Sequence, residues 1–140
     1  MAIQFHPEPG TILICNFEGL KTPEMVKRRP VIVISPRFKN RGGLCTVVPM
    51  STTEPEKIHS YHHKIHTIPP LPDPYSSTSH WVKADMIYTV SFSRLSLLFS
   101  KKDGGGKRVY DQRVVDAADL LKIRAAVLHG IGLTHLTDYL

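Results

Sequence analysis

Short apolar runs rich in β-branched residues dominate the first third of the chain and restrict it to a fold of short strands. The runs are residues 10–17, 30–35 and 44–48. A basic loop separates the first two, and a glycine-containing turn, residues 37–43, joins the second to the third. Valine, isoleucine and threonine favour extended backbone, and turn residues bound each run. Three strands close in sequence are therefore predicted.

The second half of the chain predicts more short strands. Residues 58–68 alternate in a way that suits an exposed or edge strand, and residues 81–90 have strand character again. Residues 93–100 predict a further strand, paired with a short partner at Val109 and Tyr110 across a tip that contains three glycines. The fold class is therefore mostly β.

A proline-rich loop and one helix complete the predicted architecture. Residues 67–79 form the loop, because their four prolines remove backbone donors from any ladder. The helix is predicted near residues 111–129, capped by Asp111 or Asp116 and packed on the sheet, which gives an α+β domain spanning residues 1–140. Its expected apolar stripe recurs at four- and three-residue steps and consists of Val114, Ala118, Leu121, Ala125 and Leu128.

Composition excludes several classes of protein. No run approaches the ~20 apolar residues needed to cross a bilayer, and residues 1–7 lack the basic and apolar stretches of a secretory signal. We therefore expect a cytoplasmic protein with no membrane partner. Cys15 and Cys45 lie within two of the apolar runs, which predicts reduced, buried thiols rather than a disulfide, a metal site or a nucleophile.

Basic residues are concentrated between positions 21 and 41. The chain has a net charge of +6, and this segment has seven basic residues against one acid, Glu24. Such a patch raises the local concentration of polyanions, so nucleic acid or an acidic protein segment is the expected partner. A solvated basic face without a partner is the alternative. The seven bases are Lys21, Lys27, Arg28, Arg29, Arg37, Lys39 and Arg41.

Arg29 differs from the other cations because Pro30 and an apolar strand anchor it. A guanidinium is planar, always ionised and able to donate two parallel hydrogen bonds, so an anchored arginine suits the recognition of phosphate or carboxylate. An ordinary solvated loop before a core strand is the alternative. The neighbouring Lys27, together with Arg37 and Lys39, is a candidate for further contacts with a polyanionic substrate.

Three motifs occur in order along the chain. They are a strand begun by glycine (PGTILICNF), an Arg-Pro before an apolar strand (RRPVIVIS), and a Pro-x-Ser/Thr-Thr turn after the third strand (LCTVVPMSTTEP). Together with WVKADMIYTV and the terminal helix, this order resembles the PemK/MazF family of toxin endoribonucleases over residues 9–131. The resemblance implies a small SH3-like β-barrel with appended helices, a homodimer, metal-independent cleavage of single-stranded RNA, and inhibition by a cognate antitoxin.

The resemblance also implies roles for individual residues, and no cofactor. Arg29 corresponds to the family's catalytic arginine, which contacts the scissile phosphate, and Arg28 to a neighbouring substrate contact. Ser51 corresponds to the catalytic hydroxyl, which is usually threonine, and Thr52 is the adjacent candidate. A turn motif that bonds its own backbone is the alternative for both hydroxyls.

The chemistry of such a cleavage requires more than these groups. The 2′-hydroxyl must attack the adjacent phosphorus, so the site has to stabilise negative charge and move two protons. Neither an alcohol nor an arginine is a good base near neutral pH, so the base stays unassigned. His80 is a candidate acid, base or substrate contact if the fold brings it near Arg29. Trp81 can stack on a base, although a tryptophan on a strand is more often part of the core.

Four histidines lie within eight residues and can hold a metal or shuttle protons. On a strand, alternate side chains point to opposite faces, which separates them into two pairs. We therefore expect an exposed histidine-rich strand rather than a metal site. The four are His59, His62, His63 and His66.

Two loops and one residue pair depart from the family pattern. Residues 20–27 lack the usual Gly-Ser-Glu-Gln-type stretch, residues 59–80 are longer than usual, and Asp85-Met86 replaces a pair that is often Asp-Gln. Both loops are expected to border the substrate groove and to affect which RNA is cut. The alternative function is a non-catalytic SH3-like module that binds nucleic acid or an acidic protein through residues 21–41.

Overall fold

Nine β-strands, one α-helix and two 3₁₀ helices make up the regular structure of residues 2–140, which are the residues that the computed structural model describes. The three predicted early strands are confirmed as β1 Ile12–Cys15, β2 Arg29–Val33 and β3 Leu44–Ser51. The other elements are β4 His62–His66, β5 Ser79–Lys83, β6 Tyr88–Ser91, a 3₁₀ helix Phe92–Arg94, β7 Leu95–Ser96, β8 Leu98–Lys102, β9 Arg108–Asp111, helix α1 Ala117–Gly130 and a 3₁₀ helix Thr134–Tyr139.

One antiparallel sheet contains β1 to β7. Its order is β4-β5-β3-β2-β1-β7, and β6 also pairs with β3. From β6 the chain passes through a 3₁₀ helix to β7, so residues 88–96 connect the β3 side of the sheet to its β1 side. Among the described residues no ladder joins β4 to β7. The mostly β class with a C-terminal helix is confirmed, and the ladders of the described residues do not by themselves close the sheet into a barrel.

Apolar side chains fill both faces of β1 and β2. Leu13 and Val31 belong to one buried cluster, whereas Ile12 and Ile32 belong to a second cluster that also contains Ile123 of α1. Each such side chain contributes about 1.5–3 kcal/mol when it is fully buried. Burial on both faces explains why these strands are continuous apolar runs rather than alternating ones.

Helix α1 packs on the sheet as predicted, and Asp116 is confirmed as its cap from the two candidates, so the helix begins later than residue 111 and its buried face differs from the predicted stripe. Asp116 caps the helix and its carboxylate accepts a hydrogen bond from the Asp119 N–H at 2.7 Å, while Asp111 ends β9. The buried helix residues are Ile123 and Ala126, and Leu121 from the predicted stripe is 46% exposed. Apolar residues occur on several faces of this helix, so their spacing alone does not identify the packed face.

Two predicted strands are interrupted in the structure. Residues 81–90 divide into β5 and β6 around a turn at Ala84 and Asp85. The end of α1 packs directly on this turn, because a Cβ at Gly130 would lie 2.8 Å from the Asp85 Cα. Residues 93–100 contain part of a 3₁₀ helix, the short β7 and the start of β8.

The glycine-rich tip and the edge strand are confirmed. Strands β8 and β9 form a separate two-stranded sheet, and the Asp103 carboxylate accepts hydrogen bonds from the Gly105 and Lys107 N–H groups in the turn between them. Strand β4 is at the edge of the main sheet. Of the residues described, no helix combines the length and the apolarity that crossing a membrane requires.

Candidate active site

The start of β2 fixes the position of Arg29. Strand β2 lies between β1 and β3, with Arg29 opposite Cys15 and the following Pro30 buried in the sheet. The Arg29 side chain is half-buried, and its Nε is buried without a hydrogen-bond partner. Leaving a buried donor unpaired costs about 1–3 kcal/mol. The position therefore suits a ligand that brings an acceptor to the guanidinium.

The end of β3 places two hydroxyl groups near this arginine. Ser51 is the last residue of β3, and Thr52 follows it in an exposed turn. The Ser51 Oγ accepts a hydrogen bond from the Thr53 N–H at 3.2 Å, as a local turn motif requires. Because a hydroxyl is also a donor, Ser51 can bond a phosphate oxygen while it holds this turn.

These two strand ends border one cavity of about 230 Å³, which we call the arginine cavity. Six predicted site residues line it, and the lining contains three cations and no carboxylate among the described residues. The field inside the cavity therefore favours an anion. Its lining consists of Lys27, Arg28, Arg29, Pro30, Met50, Ser51, Thr52, Thr53, Pro74, Tyr75 and His80.

His80 is a buried titratable side chain in the wall of the arginine cavity. It lies on β5 opposite Ile65, is 1% exposed, and has its Nε2 buried without a hydrogen-bond partner. Burial lowers the pKa of His80, and the backbone of Ser77 acts in the opposite direction. The imidazole is therefore neutral near pH 7 and can accept a proton.

Three of the predicted site residues lie outside the arginine cavity. Trp81 neighbours His80 on β5, so its side chain is on the opposite face of the strand; it is 9% exposed, and the Lys64 Nζ lies 5.8 Å from its ring centroid. Arg37 and Lys39 are exposed on the β2–β3 loop, at the other end of β2 from Arg29. The basic segment 21–41 is therefore divided between the two ends of β2.

Tyr75 is a lining residue that the sequence motifs do not identify. It is half-buried, and its N–H donates to the Pro72 carbonyl at 3.0 Å. The loop that carries it is held at Pro69, whose carbonyl accepts a hydrogen bond from Arg113. The sequence shows only that an aromatic residue follows a run of prolines, and a loop of this kind can present a side chain at a fixed place once tertiary contacts set its path.

A sequence model of the PemK-like, MazF-like toxins of type II toxin–antitoxin systems matches residues 8–128. The chain belongs to this family. One relative, YifN of Escherichia coli (strain K12), is 33% identical over 115 residues, which cover 69% of this chain and 76% of YifN. An uncharacterized protein of Haemophilus influenzae is 28% identical, with 99% of both chains covered.

Solved structures of bacterial toxins share the fold of this family member. MazF of Deinococcus radiodurans is 20% identical with a TM-score of 0.62, over 92% of this chain and 99% of that one. An endoribonuclease from a mycobacterial species, solved in complex with its cognate antitoxin, is 20% identical with a TM-score of 0.60, over 91% and 96% of the two chains. The similarity supports a mostly β, antiparallel fold with a C-terminal helix.

The two loops in which this family member departs from the usual pattern both reach the arginine cavity. Lys27, at the end of the first loop, and Pro74 and Tyr75, within the second, belong to its lining. Their sequences and lengths therefore affect the shape of the cavity without changing the strands that carry Arg29 and Ser51.

The four clustered histidines do not line the arginine cavity, and three of them bond to other residues. His63 pairs with Asp119 of α1 at 2.9 Å, His66 Nδ1 lies 3.3 Å from the Ser79 Oγ, and the His62 ring accepts from the His59 N–H at 3.0 Å. Across residues 2–140, no three histidine, cysteine, aspartate or glutamate side chains come together as a metal site requires. Strand β4 therefore uses its histidines to bind neighbouring elements.

The two cysteines are free and buried, as predicted. Burial raises the pKa of Cys15 to about 11, although Arg94 and Arg28 lower it. Burial also raises the pKa of Cys45 to about 11. Both side chains are therefore protonated thiols at neutral pH and belong to the apolar cluster with Leu13 and Val31.

Proposed function

We propose that this family member is a metal-independent, sequence-selective endoribonuclease that cleaves single-stranded RNA, including mRNA, and is the toxin of a type II toxin–antitoxin pair. The observation that carries the proposal is the half-buried Arg29, which has an unpartnered Nε and lines the same cavity as Ser51 and the buried His80. These groups supply a cation, a hydrogen-bond donor and a proton acceptor for one phosphate.

The reaction is an internal transesterification. The 2′-oxygen of one ribose forms a bond to the adjacent phosphorus, and the bond from that phosphorus to the 5′-oxygen of the next nucleotide breaks. One proton leaves the 2′-hydroxyl and one reaches the departing 5′-oxygen, so atoms and charge balance. The products are a 2′,3′-cyclic phosphate and a 5′-hydroxyl.

Five of the lining residues have roles that follow from their chemistry. Arg29 and Arg28 bind the non-bridging phosphate oxygens, on which negative charge grows as phosphorus becomes five-coordinate. The hydroxyl of Ser51 or Thr52 donates to the same phosphate or orients the 2′-hydroxyl. His80, neutral because it is buried, exchanges a proton with the ribose or the leaving oxygen.

The proposal extends to the assembly and the partner. We expect residues 1–140 to act as one domain in the cytoplasm and to form a homodimer. Support for an SH3-like barrel comes from residues 88–96, which connect the two sides of the sheet. The mycobacterial toxin was solved with an antitoxin. By analogy, a cognate antitoxin of this chain lays acidic or apolar residues into the arginine cavity and blocks RNA.

The test is cleavage of a long single-stranded RNA in EDTA by wild type, Arg29→Ala and Ser51→Ala, with cut sites and product ends mapped. Discrete cuts ending in 2′,3′-cyclic phosphate, lost in Arg29→Ala, are expected. Intact RNA at high protein concentration, despite binding, would favour the non-catalytic module. Activity abolished by EDTA and restored by a divalent cation would contradict the metal-independent mechanism.

A further inference from the structure

A second cavity adjoins the arginine cavity and shares part of its wall. Its volume is about 320 Å³, at the lower end of the ~300–1,000 Å³ range of small-molecule sites. Arg28, Pro74 and Tyr75 line both cavities. We call this second space the hairpin cavity, and RNA bound at Arg29, as proposed above, would lie beside it because the two cavities share a wall.

The far wall of the hairpin cavity is aromatic and comes from the β8–β9 hairpin. Phe99 and Tyr110 line it, with their ring centroids 6.2 Å apart in an edge-on arrangement. The Arg108 guanidinium lies 5.1 Å from the Phe99 ring centroid, and Phe99 is still 43% exposed. Exposed aromatic rings beside arginines are the side chains on which single-stranded nucleic acids stack their bases.

Two cations, Arg28 and Arg108, line the hairpin cavity, but it is less cationic overall than the arginine cavity because its lining also includes a carboxylate. Asp73 contributes a carboxylate to the hairpin cavity, whereas the described lining of the arginine cavity has none. An ionised carboxylate repels phosphate but accepts hydrogen bonds from the amino and imino groups of a base.

The hairpin is also fixed in position before any ligand binds. Leu98, at the start of β8, is 1% exposed and belongs to the main core. At the end of β9, Asp111 pairs with Arg113 at 2.8 Å, and Arg113 also holds the proline-rich loop through the Pro69 carbonyl. Both walls of the hairpin cavity are therefore attached to the same residue, and a preformed pocket loses less entropy on binding.

We propose that the hairpin cavity binds one nucleobase of the RNA substrate next to the scissile phosphate, stacked against Phe99 or Tyr75, and so contributes to the choice of cut site. This inference rests on the proposed function. It assigns a binding role to the glycine-tipped hairpin and to Arg108, which lies outside the basic segment 21–41.

A crosslinking experiment tests the cavity independently of cleavage. The full chain is irradiated with a short 2′-O-methyl RNA that carries 4-thiouracil, which cannot be cut because its 2′-oxygens are blocked, and crosslinked peptides are mapped by mass spectrometry. Crosslinks to Phe99 or Tyr110, which line the hairpin cavity but not the arginine cavity, are expected. Crosslinks confined to other segments would overturn the proposal, whether or not the protein cleaves RNA.

A kinetic experiment tests the contribution to specificity. Phe99→Ala and Arg108→Ala are expected to raise KM about tenfold, as loss of a stacking contact does, with kcat unchanged and base preference lost at one position beside the cut. Lys107→Ala is the matched control, because it removes an exposed cation next to Arg108 that does not line the hairpin cavity. If both test variants keep the wild-type KM and base preference, the proposed base site is wrong. If the wild type never cuts RNA, the proposed function is wrong, and the crosslinking experiment alone then tests whether the hairpin cavity binds a base.

Discussion

The two ends of β2 have similar charge but different surroundings. Lys27, Arg28 and Arg29 precede or begin the strand, and another three cations, Arg37, Lys39 and Arg41, follow it. The first group borders a cavity with Ser51, Thr52 and His80. The second lies on a loop, where the Arg41 guanidinium is 4.8 Å from the centroid of the neighbouring Phe38 ring.

The difference shows that charge attracts an anion but does not by itself make a reactive site. At the first end, β3, β5 and the proline-rich loop place other polar groups around the guanidinium of Arg29. At the second end, Arg37 and Lys39 are exposed to solvent, where their attraction for an anion is screened within about 8 Å at physiological salt. Convergence of different elements, rather than the number of cations, distinguishes the arginine cavity.

The largest expected effect is the difference in kcat between the Arg29→Ala and Arg37→Ala variants. Arg29→Ala should lower kcat for RNA cleavage by about 10³-fold, because it removes a donor to the charge that develops in the transition state. Arg37→Ala removes the same charge from the other end of β2 and should leave kcat within about twofold, since surface charges mainly affect encounter. Initial rates at saturating RNA measure both variants, and equal losses would contradict the assignment.

His80 is expected to have the next largest effect. His80→Gln should lower kcat by about 10²-fold, the lower end of the contribution of general acid–base catalysis. Because burial lowers the pKa of His80, protonation removes the base only below its ordinary pKa of about 6.5, so the acid limb of the kcat profile should lie below that pH. The pH profiles of kcat for wild type and His80→Gln check this assignment. If the variant keeps the acid limb, another group is responsible for that limb.

The exposed end of β2 should affect binding modestly and in a salt-dependent way. The double variant Arg37→Ala, Lys39→Ala should weaken RNA binding a few-fold at low salt and hardly at all at high salt. Each phosphate contact on a single strand contributes about 0.7 to the slope of log affinity against log salt. If both cations contact phosphates, the magnitude of that slope should therefore fall by about 1.4 in the double variant. Fluorescence anisotropy across a salt series measures this, and a large loss of kcat in the variant would remove the contrast between the two ends.

The smallest difference is expected between the two cysteines. Cys15 lies near Arg28 and Cys45 near Arg41, yet burial raises both pKa values to about 11. Neither thiol should react measurably with a disulfide reagent at pH 8 in the folded protein, and both should react after denaturation. Rapid labelling of one cysteine under native conditions, followed by mass spectrometry, would show that its end of the sheet opens.

The strands around the site were predictable, because β1, β2 and the start of β3 are apolar runs bounded by turn residues. The break between β5 and β6 at Asp85 was not predictable, because Gly130, which packs closely on that turn, is distant in sequence. The packed face of α1 was missed for a related reason: Leu121 and Ile123 are equally apolar, and only the position of the sheet distinguishes them.

The members of the site were predictable to a similar degree. Motifs, which keep a fixed spacing along the chain, made Arg29 and either Ser51 or Thr52 candidates, and all three line the arginine cavity. Whether His80 faces the same cavity depends on which strand pairs with which, and alternation on β5 then places Trp81 on the other face. Tyr75 comes from a loop whose path is set by a tertiary contact with Arg113, so no local pattern identifies it.

Burial on both faces of β1 and β2 has a consequence for how a chain of this kind can vary. Every side chain from Ile12 to Cys15 and from Pro30 to Val33 is buried, so almost any polar replacement there costs folding stability. Polar replacements are therefore better tolerated on exposed segments, among them the proline-rich loop and the β8–β9 hairpin. Descendants of such a sequence can diverge in the walls around Arg29 while the strand that holds it stays the same.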